Sequence, residues 1–134
     1  MTNVVKEAAS NEHQKLVKAL IDTFVQNKLQ ILQAAYEGYK EPDKVGRHAP
    51  DIRAYKPDEE LIVIGEAKIC EDLASERSKE QFRDFSSTQM KTGKSEGKVV
   101  PFHIITPKVC KDELNLVLKQ LGLSDKPNIT RWSL

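Results

Sequence analysis

Apolar positions recur at helical spacing over the first third of the chain. Leu16, Leu20, Phe24, Ile31 and Ala35 line one side, with Val17, Ile21, Val25 and Leu32 beside them. This spacing predicts an amphipathic helix over 10–39, with Ser10 as its cap and Gly38 at its end. The pattern then changes. KEPDKVGRHAP, rich in proline and glycine, reads as a loop. Asp51–Lys56 and Leu61–Ile69 read as strands joined by a turn over Pro57–Glu60. The span 73–90 is helical, with Phe82 and Phe85 inward. Ser78-Lys79-Glu80-Gln81 fits a capping box there, and a start near Asp72 or Ser75 fits as well. KTGKSEGK is a polar loop, and the β-branched run Val99–Thr106 a core strand. Lys111–Leu121 is a helix stopped at Gly122, and Asn128–Leu134 a last short strand. The order is α-β-β-α-β-α-β. A hairpin followed by a helix long enough for a parallel crossover predicts a mixed β-sheet with flanking helices, an α/β fold.

Composition narrows this only a little. At 134 residues the chain is expected to be a single domain, 1–134. A net charge of +1 argues against coating nucleic acid through bulk charge, though not against a local basic groove. Cys70 and Cys110 are too few for a disulfide framework and suit a reducing compartment, with a single bridge as the alternative. The N-terminus has no apolar signal core, and no run approaches the roughly 18 apolar residues of a membrane span. A cytoplasmic protein with no membrane partner is expected.

The chemistry concentrates in APDIRAYKPDEELIVIGEAK, residues 49–68. An apolar strand that ends in a carboxylate and an ammonium needs something to offset buried charge. A turn at Pro57–Glu60 places Lys56 opposite Leu61, and the same register places Asp51 opposite Glu66. Opposed residues share a face, with Cβ atoms about 4.5–5.5 Å apart, and Lys68 falls on that face too. Two carboxylates and an ammonium therefore converge at the open end of the hairpin. Two carboxylates that close repel, and a hard divalent cation, Mg²⁺ or Mn²⁺, resolves the repulsion. Asp51 and Glu66 are the expected ligands, with the Ala67 carbonyl as a further one. Lys68 is placed to orient water, to stabilise phosphate charge, or to act as a base.

Pro50-Asp51, fourteen intervening residues and Glu66-Ala67-Lys68 resemble the motif of the PD-(D/E)XK nuclease superfamily. The resemblance covers roughly residues 10–106. It implies a restriction-endonuclease-like αβββαβ core, although no separate strand is visible before Pro50. It implies Mg²⁺ on Asp51 and Glu66, with Lys68 serving phosphodiester hydrolysis in DNA. Gln81, thirteen residues past Lys68, is similar to the glutamine of the virus-type replication-repair nucleases. It is also similar to that of a QxxxY branch, whose tyrosine is here Phe85. Many members carry a glutamate on the first helix, for which Glu12 and Glu37 are both candidates. A homodimer also follows from the family alone.

Blander readings accompany each residue. Asp51, Glu66 and Lys68 could form a cross-strand ion-pair cluster on a solvated face, and Gln81 a capping residue. His103 reads as a core or edge histidine, His48 as a loop residue and His13 as surface. Arg47, Arg53 and Lys56, and Lys91, Lys94 and Lys98, are candidate phosphate contacts or simply solvated charge. Tyr55 and Trp132 read as packing residues before base-stacking ones. The rival to a weakly sequence-specific or structure-selective nuclease is a non-catalytic binding or interaction module on the same scaffold.

Overall fold

The computed structural model describes the backbone of residues 2–134 and the side chains from residue 11 onward. Helix α1 (Thr2–Gln26) leads into strand β1 (Gln30–Ala34). The hairpin β2 (Ile52–Lys56) and β3 (Leu61–Ala67) follows, closed by a 3₁₀ turn at Pro57–Glu59. Then come α2 (Glu76–Ser86), β4 (Phe102–Thr106), α3 (Lys111–Gln120) and β5 (Ile129–Ser133). The sheet order is β1-β2-β3-β4-β5. The first three strands are antiparallel, and β3, β4 and β5 run parallel. The result is an α/β fold with a five-stranded mixed sheet.

The first helix departs from the expected one in its bounds and in both of its caps. The predicted helix over 10–39 stops at Gln26, and Ile31 and Leu32 belong to β1, not to a helix. Lys28 takes a left-handed backbone conformation, φ 63°, and ends the helix where neither glycine nor proline gave a signal. The helix begins upstream of Ser10, so Ser10 does not cap it. Gly38 sits in the turn after β1, also left-handed at φ 92°, instead of ending a helix.

The sheet carries a core on each face. On one, Leu16, Leu20 and Phe24 of α1 cover Ile52, Val63 and Ile105. On the other, Phe82 and Phe85 of α2 and Leu114 and Leu118 of α3 cover Ile64, Phe102 and Ile104. Gly65 of β3 lets α1 come close: a Cβ there would stand 2.9 Å from Leu20 Cδ2 and 3.2 Å from the Phe24 ring. Gly65→Ala is therefore expected to cost about 1–3 kcal/mol through overpacking, read as a lower urea midpoint at unchanged slope. An unchanged midpoint would contradict this packing.

Cys70 and Cys110 are bonded to each other, 40 residues apart in sequence, tying the turn after β3 to the start of α3. The bridge replaces the pair of free thiols that a reducing compartment would favour. Among the described residues, no helix is long and apolar enough to cross a membrane.

Candidate active site

The hairpin register determines what meets at the end of β3. Ile52 pairs with Gly65 and Lys56 with Leu61, as the turn predicts, so Asp51 and Glu66 come side by side one step further out. The Asp51 backbone N–H donates to Glu66 Oε1 at 2.9 Å. The Ala67 N–H donates to Asp51 Oδ2 at 2.8 Å. Lys68 Nζ lies 3.4 Å from Glu66 Oε2 and donates to Gln81 Oε1. The sheet and α2 thus bring Asp51, Glu66, Lys68 and Gln81 into one cluster, with Ala67 between its carboxylates.

Gln81 owes its place to the true start of α2. Ser75, not Ser78, is the N-cap, its Oγ accepting from the Ser78 N–H at 3.1 Å. Ser78 and Gln81 consequently turn inward, and the capping role for Gln81 is excluded. Gln81 and Glu66 are each 3% exposed and Lys68 8%, whereas 15% of the Asp51 side chain reaches solvent. The cluster is therefore not a solvated ion-pair face, and it opens outward through Asp51. Burial, and then the charge of Asp51, raise the Glu66 carboxyl well above its usual range against the opposing pull of Lys68. A neighbouring cation would relieve that conflict.

The first helix adds a residue that was expected on the surface. His13 Nε2 lies 3.1 Å from Asp51 Oδ2. Neither Glu12 nor Glu37 joins the cluster; both side chains are exposed. A signal for His13 exists, because it extends the buried stripe of Leu16, Leu20 and Phe24 by one turn. The hydrogen bond to Asp51 raises the His13 imidazole above its ordinary 6.5, although burial opposes the shift. A histidine with a raised folded pKa stabilises fully below its unfolded value and loses that contribution as pH rises through the folded one. In metal-free buffer, the stability deficit of His13→Ala is expected to be largest below about pH 6.5 and to shrink above it. A deficit independent of pH would contradict the pairing.

No family model matches the chain, and neither does any curated protein or solved structure. The site is thus read from its own geometry.

A second polar cluster lies beside the first. His48 Nε2, Glu80 and Asp84 offer three ligand atoms within 4.8 Å of one another. His48 is buried and 2.6 Å from Glu80 Oε1, which replaces the expected solvated loop histidine. Arg47 already engages both acids, with Nε donating to Asp84 Oδ2 at 2.7 Å and Nη1 3.3 Å from Glu80 Oε2. Its guanidinium holds the Asp84 carboxyl below the usual range. These contacts pin the loop preceding Asp51 onto α2, one residue from Gln81, and so help to position the first cluster.

Four further candidates, His103, Trp132, Lys56 and Lys94, have structural explanations. His103, half-buried, accepts from Trp132 Nε1 at 2.9 Å and stacks on its ring; burial pushes its imidazole down to about 4. Lys56 pairs with Glu59 at the far end of the hairpin, and Lys94 donates to the Asp58 carbonyl.

Proposed function

We propose that this chain is a metal-dependent nuclease that hydrolyses phosphodiester bonds in DNA, built on a restriction-endonuclease-like αβββαβ core of the PD-(D/E)XK kind. The observation that carries the reading is the buried meeting of Asp51, Glu66, Lys68 and Gln81 at one sheet end. The strand that was not visible in the sequence, β1, supplies the missing element of that core order. The donor set suits a hard cation: two carboxylates of which one, Glu66, is strained by burial and by its neighbour. Asp51 and Glu66 would hold Mg²⁺ or Mn²⁺, with the Ala67 carbonyl as a third oxygen. Such an ion, when bound, polarises a phosphoryl oxygen and makes a bound water acidic. Lys68, anchored by Gln81, stabilises negative charge growing on the phosphate. His13 orients Asp51 from the α1 side.

The test is incubation of the purified protein with supercoiled, linear, single-stranded and branched DNA in Mg²⁺ or Mn²⁺. Cleavage lost in Asp51→Ala and Lys68→Ala supports the nuclease. No cleavage of any of these substrates sinks it. One observation favours a second reading, the non-catalytic module: Asp51 Oδ2 already takes up both Ala67 N–H and His13, leaving fewer oxygens for a cation. Cytoplasmic residence belongs to the proposal, and the Cys70–Cys110 bridge weighs against it.

A further inference from the structure

A concavity lies away from the carboxylates. It has a volume of about 410 Å³ and lies between the loop before Asp51, the outer end of β3 and the segment after α2. Its cations are Lys44, Arg53 and Lys91; its apolar wall includes Val45, Ile62 and Met90, and no carboxylate lines it. Arg53 is the informative member. Its Nη1 is held by Gln33 Oε1 at 3.1 Å, with Asp43 3.7 Å away. Its Nε is the one buried side-chain polar atom left without a hydrogen-bond partner among the described residues. The guanidinium is thus pinned on one edge, and 24% of the side chain remains exposed, where a phosphate oxygen can meet it.

We infer that this pocket takes one unpaired nucleotide of a single strand, its phosphate among Lys44, Arg53 and Lys91 and its base against Val45, Ile62 and Met90. The volume lies within the roughly 300–1,000 Å³ of small-ligand sites. Lys44 and Lys91, with no carboxylate among the lining residues, favour an anion, and the apolar wall favours a flat, weakly polar group joined to it. A paired base cannot enter without leaving its stack, at a cost of a few kcal/mol, so single-stranded nucleotides are favoured. The pocket also has the right address. Ile62 and Ile64 share the Glu66 face of β3, and Thr88 at the pocket lies two residues beyond the end of α2, the helix that carries Gln81. The exposed Arg47 lies on the loop between the two sites. The choice of ligand rests on the nucleic-acid substrate proposed above, and the pocket specifies a single-stranded segment close to the scissile bond.

The test avoids cleavage altogether. A fluorescein-labelled single strand and a blunt duplex of the same sequence are bound in EDTA and followed by anisotropy. Met90→Glu, which puts a carboxylate into the pocket beside the proposed phosphate, is expected to weaken single-strand binding about tenfold or more and to weaken duplex binding less. Lys44→Ala/Lys91→Ala, both exposed positions, is the second variant and should weaken the single strand more than the duplex. In the wild-type protein, the methyl resonances of Val45, Ile62 and Met90 should shift with the single strand and not with the duplex. Equal single-strand affinity in the wild type and both variants overturns the inference, as do unmoved methyl resonances. Equal shifts with inorganic phosphate or a free mononucleotide would assign the pocket to a small free anion and overturn it as well. A protein that binds in this way but cleaves nothing would sink the nuclease and leave the pocket standing.

Discussion

Lys68→Ala is expected to reduce DNA cleavage by about 10²–10³-fold or more, the scale set by removing one charge-stabilising donor from a preorganised site. The loss should fall on kcat rather than KM, because Lys68 is buried behind Asp51 and acts on developing charge rather than on initial binding. The same substitution leaves Glu66 facing Asp51 without its nearest cation, 3.4 Å away in the native protein. Breaking a buried pair in this manner costs about 3–5 kcal/mol. That cost should ease as pH falls, since the Glu66 carboxyl, already raised by burial and by Asp51, takes up a proton and ceases to be a buried charge. Urea denaturation at pH 5 and pH 7.5 reads the effect, with cleavage measured at the higher pH. A variant that keeps both stability and cleavage would remove Lys68 from the site.

Glu66→Gln should separate stability from activity. Glu66 is a carboxylate whose folded pKa is raised, so its favourable contribution is complete below its unfolded value of 4.5 and is lost as pH rises through the folded one. At neutral pH and without metal the native protein therefore carries an unfavourable charge. A neutral isostere still accepts the Asp51 N–H and removes that charge. The expected gain is on the order of 1 kcal/mol, or roughly 3–6 °C in Tm for a chain of this size. Cleavage should fall by about 10²-fold or more at the same time. Functional sites commonly hold such unfavourable arrangements, and their removal stabilises. A lower Tm in metal-free buffer would mean that Glu66 is a structural partner of Lys68 before anything else.

Much of this site was legible in twenty residues of sequence, because a hairpin register is set by its turn. Once Lys56 faces Leu61, Asp51 and Glu66 have no alternative but to meet. Strand β1 was hidden for the opposite reason. Ile31, Leu32 and Ala35 continue the three-and-four spacing of α1, glutamine, leucine and alanine are good helix formers, and the break falls at Lys28. As a half-exposed edge strand, β1 has little alternation to reveal itself. His13 on its own reads as a surface residue; only as the first member of the α1 stripe does it read as inward-facing. The Cys70–Cys110 bridge and the Arg47–Glu80–Asp84–His48 contacts join segments more than thirty residues apart. Only tertiary packing brings such partners together, and no local pattern encodes them.

The most direct test is calorimetric titration of Mn²⁺ into the wild-type protein and Glu66→Gln under identical buffer conditions. A saturable site in the wild type that disappears in the variant is the predicted result. No uptake by the wild type, or undiminished uptake by Glu66→Gln, would contradict it and place any bound ion elsewhere, as at His48, Glu80 and Asp84.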